Sequence, residues 1–147
     1  MTTAATERPP RRRYLLTPPG DTRPSLLVEL CPGIDDTVLR EVREAMFGLG
    51  CGNGLVLDAE RCVILHDSFA STDPDAIEQE PTKLETARLI GANGGPIEQR
   101  LERWLNALAT NWQSTLPREE WSAPLLTDVV PAASGSVVRR AMVGSTQ

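Results

Sequence analysis

The 147-residue sequence has 15 basic side chains, but only one is a lysine, Lys83; the other 14 are arginines. Arginine keeps its proton under all ordinary conditions and is a poor proton-transfer group. Chemistry that needs a lysine therefore has one candidate. Aromatic residues make up only 4 % of the chain, so the core must rest on Leu, Val, Ile and Ala. No run of about 18 apolar residues occurs, and nothing is expected to span a membrane. Arginines near the N-terminus are not followed by an apolar stretch, so no secretory signal is read there. Three cysteines, Cys31, Cys51 and Cys62, are odd in number and lack CxxC spacing. They suit free thiols in a reducing cytoplasm better than a disulfide scaffold.

A chain of this length fits one domain, which can bury roughly 70 % of its unfolded surface. The formal net charge of −5 is unevenly spread. Residues 1–23 hold five arginines against Glu7 and Asp21, whereas the rest holds 10 basic and 18 acidic groups. An acidic body is unfavourable for gripping a phosphate backbone, which wants clustered Lys and Arg. The arm "RPPRRR", with Arg11, Arg12 and Arg13, is the place where nucleic acid or an acidic partner could bind, or it is a solvated tail.

Residues 1–11 are polar, Pro-rich and without period, and read as a disordered basic arm. "RRYLLT" is a strand candidate stopped by "PPGD". "SLLVEL" is a second, and its nearly unbroken apolar run predicts a strand covered on both faces. A helix follows, with Asp35 or Asp36 as its cap. Ile34, Val38, Val42, Met46 and Leu49 form its apolar stripe, and "GLGCGNG" stops it. "GLVLDAERCVILHDSF" predicts two strands around a turn at 58–61. An acidic connector with room for a short strand comes next, and then a short helix in "KLETARLIG". Pro96 opens a long helix carrying Ile97, Leu101, Trp104, Leu105, Leu108 and Trp112 on one face. "PLLTDVVPA" is a last strand candidate. The expected organisation is an α/β domain over 12–131, a single mixed sheet flanked by helices with a helical C-terminal extension, followed by a poorly ordered tail over 132–147.

The strand "PSLLVELCP", the helix after it and the pair "GLVLDAERCVILHD" resemble the core of the PD-(D/E)XK, or restriction-endonuclease-like, superfamily. The arrangement is similar to the nuclease domain near the front of type I restriction-enzyme motor subunits. The likeness covers about residues 12–68 and rests on the order of elements. It implies that Glu29 is the acidic member of the motif and a Mg²⁺ ligand, with Asp21 as the nearest second carboxylate. Ser25 stands where close-spaced members carry an aspartate, and Cys31 stands where they carry a lysine. That lysine helps to activate the attacking water and offsets phosphate charge, which a thiol does not do. The resemblance thus implies a nuclease scaffold with a degenerate site, with Cys31 as a small packing residue.

Other constellations are weaker. Cys62 and His66 face the same side of a strand, yet residues four apart are about 13 Å apart, too far for a dyad. Three cysteines and one histidine match a zinc ligand count without zinc spacing. "STDPDAIEQE" lacks the EF-hand glycine and donor pattern, and reads as an acidic connector. Trp121, outside any regular period, closes the core or anchors a contact.

The reading that follows is a non-catalytic, nuclease-fold binding or accessory protein, cytoplasmic, that works through a protein partner, with nucleic acid engaged through the arm if at all. No cofactor is expected. One alternative is a Mg²⁺-dependent DNA or RNA endonuclease using Glu29 and Asp21. Another is a structural subunit of a larger assembly.

Overall fold

A computed structural model of the chain describes residues 9–69, 71–79, 84–111, 129, 133 and 135–141. Seven strands and three α-helices are present among them: β1 (Arg12–Thr17), β2 (Leu26–Leu30), α1 (Asp36–Leu49), β3 (Asn53–Leu57), β4 (Arg61–His66), β5 (Glu78–Gln79), β6 (Leu84–Glu85), α2 (Thr86–Ile90), α3 (Ile97–Asn111) and β7 (Val137–Ala141). The sheet order is β5-β4-β3-β2-β1-β7, with β6 also paired to β4. Only β2 and β3 run parallel, because α1 carries the chain back between them; the other pairings are antiparallel. This is a mixed α/β sheet flanked by helices.

β2 is central and all five of its residues are buried. An unbroken apolar run survives only where both faces are covered, and two clusters cover them. On one face, Leu26, Val28 and Leu30 join Leu55, Leu57 and Ile64 beneath Leu101, Trp104, Leu105 and Leu108 of α3. On the other, Leu27 and Cys31 join Val56, Val63 and Leu65 beneath Val38, Leu39, Val42 and Met46 of α1. Each fully buried Leu, Ile or Val adds about 1.5–3 kcal/mol, so these two helices hold the sheet rigid.

Asp35, not Asp36, caps α1, accepting from Val38 N at 2.9 Å. Gly50 ends it with φ 68°, a left-handed conformation in which its N–H reaches back to Met46 and Phe47. One stripe residue departs from expectation. Leu49 is 39 % exposed, and Leu39 is buried in the cluster instead. Leu49 lies in the final turn, where the chain swings out through Gly50 to begin β3.

Two chain ends also differ from the sequence reading. The tail from 132 is not featureless: β7 pairs along the outer side of β1, from Thr17 opposite Val137 to Arg13 opposite Ala141. Its pattern of mostly exposed residues, "VVRRA", is what an edge strand with one solvated side tolerates. Of the basic arm, Pro9, Pro10 and Arg11 are among the described residues, and Arg11 is tied to the body by ion pairs. Lys83, Trp112, Trp121 and all of "PLLTDVVPA" except the buried Val129 lie outside the described residues.

Candidate functional site

Glu29 sits on the α1 face of β2, as the strand's alternation requires, between Leu27 and Cys31. In the antiparallel pairing of β1 with β2 it stands opposite Arg13. Arg11, two residues earlier, points to the same side. The Glu29 side chain is 0 % exposed, and each carboxylate oxygen is taken: Arg11 Nε donates to Oε2 at 2.5 Å and Arg13 Nε to Oε1 at 2.7 Å. Arg11 also pairs with Glu41 of α1 at 2.6 Å. Burial opposes the charge on Arg11, but hydrogen bonds to Glu29 and Glu41 outweigh it and raise its pKa. The cluster is an alternating set of two carboxylates and two guanidiniums that welds the N-terminal segment to β2 and α1.

The arrangement bears on each expected site residue. Glu29 is present at the strand position that the resemblance implies, but it faces arginines on both oxygens and no solvent. Asp21 is exposed and lies before the start of β2. From Ser25 to Glu29 alone the strand advances about 13 Å, so the two carboxylates sit at opposite ends of β2 and do not converge. The residues therefore do not fit a Mg²⁺ site. Among the described residues no group of three or more His, Cys, Asp or Glu side chains gathers as metal ligands.

The arginines expected in a free arm are used within the body. Besides Arg11 and Arg13, Arg12 Nε pairs with Glu98 of α3 at 2.6 Å. The physical reason is the acidic body itself: strands and helices around β1 supply carboxylates at reach, and ion pairing there offsets the charge of these cations. Cys31 stands buried against the Leu57 carbonyl, its Sγ 3.6 Å from that oxygen. Burial pushes its thiol up to about 11, with Asp58 and Glu29 adding to the effect. It is a neutral packing group. Cys51 and Cys62 are likewise buried, and burial raises them to about 11 and about 12.

Sequence reasoning did not foresee a further carboxylate. Asp58, in the β3–β4 turn, is 8 % exposed and accepts from the backbone N–H groups of Ile34 (3.1 Å), Glu60 (2.8 Å) and Arg61 (2.9 Å). It locks the turn and the entry to α1 together. The sign was available in the sequence, since "DAER" between two strands is an Asx-type turn. On the α3 side, the Tyr14 hydroxyl donates to Glu102 at 2.7 Å, and Arg140 of β7 pairs with the same carboxylate. The Tyr14 bond first, then Arg140, pulls the Glu102 pKa down. Neither protein-family models, curated proteins nor solved structures give a match to this chain.

Proposed function

We propose that the chain is a non-catalytic binding or accessory protein on a nuclease-like α/β scaffold, acting through protein–protein contacts. The observation that carries this reading is the state of Glu29: fully buried, with both oxygens held by arginines. In a nuclease of this kind the carboxylate must reach a hydrated Mg²⁺ ion, which keeps several waters. Here two guanidiniums occupy the coordination directions, and the neighbouring thiol of Cys31 supplies no cation for a phosphate. What remains on this scaffold is recognition, since a fold does not dictate an activity. Arg11, Arg12 and Arg13 are paired with carboxylates of the body and the chain's net charge is −5, which suits a protein partner better than a nucleic acid.

Two readouts test it together. The full chain is incubated with labelled single- and double-stranded DNA and RNA in Mg²⁺ or Mn²⁺, and its native assembly is sized in extract of the source cells. The expected result is intact nucleic acid and a particle larger than the chain alone. Metal-dependent cleavage that the conservative Glu29→Gln change removes overturns the proposal in favour of an endonuclease.

A further inference from the structure

The start of β2, at the end of the strand away from Glu29, opens on a groove of about 590 Å³ lined by Asp21, Thr22, Arg23, Gly52, Asn53 and Phe69. Its volume is in the range of small-molecule sites. We infer that this groove binds a zwitterionic small molecule, of the class of an α-amino acid with an apolar or planar side chain.

Charge is the first reason. Asp21 and Arg23 are two residues apart, both exposed, and both line the groove. Yet they do not pair with each other, and neither side chain has an ion-pair or hydrogen-bond partner among the described residues. A ligand bearing one sign would satisfy one and leave the other facing it. A ligand bearing both satisfies both: its carboxylate on the Arg23 fork and its ammonium on Asp21. Polyanions are disfavoured by Asp21 and by the C-terminal end of α1 at Gly50, which carries partial negative charge.

The second reason is Phe69. Its φ of 60° is left-handed, a conformation in which a bulky side chain is strained. Burial does not compensate, because the residue is 61 % exposed. Strain kept without a packing return is characteristic of ligand sites. What the conformation does achieve is to lay the ring beside Gly52, where an added Cβ would come within 3.2 Å of Cε2. On the neighbouring wall, a Cβ at Gly50 would come within 3.0 Å of Arg23 Nε. Both glycines thus let a ring and a guanidinium lie close along the backbone.

The supporting bonds are fixed as well. Phe69 N–H donates to Asp67 Oδ1 at 2.9 Å, and Asp67 N–H donates to the Gly52 carbonyl at 2.9 Å. His66 Nδ1 and Asn53 Oδ1 share a hydrogen bond at 3.0 Å, which holds Asn53 at the groove wall. An exposed aromatic ring with one cation and one anion along the same groove matches the three parts of an apolar α-amino acid. The site does not rest on the scaffold's being nuclease-like.

Calorimetric titration of the full chain with L-phenylalanine, N-acetyl-phenylalanine and phenylalanine amide tests the inference. The expected result is one saturable site for the free amino acid, weakened about tenfold or more by blocking either end. In Arg23→Ala, the free amino acid binds more weakly, and amidation of its carboxylate costs nothing further. Phe69→Asn keeps the fold, because Asn accepts the left-handed backbone; its melting temperature is unchanged or higher while binding falls. The inference is overturned by the lack of saturable heat at millimolar amino acid, or by blocked and free forms binding alike. Tighter binding of a nucleoside monophosphate than of the amino acid also overturns it.

Discussion

Glu29→Ala removes the acid from the centre of the Arg13–Glu29–Arg11–Glu41 cluster, and the structure sets the expected size of the effect. Deleting one partner of a buried pair costs about 3–5 kcal/mol, because the other charge is left desolvated and alone. The arginines are not fully buried: their side chains are 27 % exposed for Arg11 and 14 % for Arg13. Arg11 also keeps Glu41 at 2.6 Å after the change. The residual damage falls mainly on Arg13, so the lower end of the range applies, about 3 kcal/mol. For a chain of this size each 1 kcal/mol moves the melting temperature by about 2–4 °C, giving a drop of roughly 6–12 °C. Thermal and urea denaturation followed by circular dichroism on Glu29→Ala, Arg13→Ala and the double variant provide the measurement. The double variant is expected to lose less than the two singles together, with a coupling of about 1–3 kcal/mol, since the second deletion removes the orphaned charge. A carboxylate kept for catalysis behaves in the opposite way, because strained functional groups commonly reduce stability. Glu29→Ala within about 0.5 kcal/mol of the parent, or more stable than it, would refute the reasoning.

Tyr14 is the chain's single tyrosine, so its ionisation can be followed by absorbance without interference from others. Burial first, then the bond to Glu102, raises its pKa. Below pH about 10 the phenol is neutral in folded and unfolded chains alike, so its contribution to stability is fully present there. As pH rises further the unfolded chain ionises first, and that contribution is lost through the folded value. The native absorbance titration should lie above the one in denaturant; coincident curves would sink this assignment. The thiols of Cys31, Cys51 and Cys62 should react slowly with a disulfide reagent at pH 8 and all three quickly once unfolded, as burial has raised each to about 11 or 12; a fast native thiol would contradict their burial. Asp58→Ala should lower stability by about 2 kcal/mol, since three backbone donors lose their acceptor at once; a change under about 0.5 kcal/mol in urea denaturation would show that water replaces it.

Much of the architecture is written in local pattern. The unbroken apolar run of "SLLVEL" implies a doubly covered strand, and β2 is one, with all five residues buried. The 3–4 spacing from Val38 to Met46, with Asp35 before it and Gly50 after it, carries the limits of α1. Ile97, Leu101, Trp104, Leu105 and Leu108 likewise lie on the buried face of α3. These features depend on neighbours a few residues away, which is why period and capping reveal them.

The site was less legible, for a reason of register. "RRR" at 11–13 reads as surface charge, and Glu29 in "LLVEL" reads as a strand-end carboxylate. Their union requires the antiparallel pairing that sets Arg13 against Glu29 and turns Arg11 to the same face. Nothing within a short window specifies that alignment. One clue was present: arginines at i and i+2 on one strand, and a lone acid in the adjacent apolar strand, are complementary on a shared face. In the same way "VVRRA" has adjacent apolar and adjacent charged pairs in place of strand alternation, and it becomes β7 because the free edge of β1 accepts it. Composition and period thus determine which segments are helices and strands and which faces they bury. Pairing between distant strands decides where the charges meet, because a side chain's partner across a sheet is set by register, and register is a property of the assembled sheet.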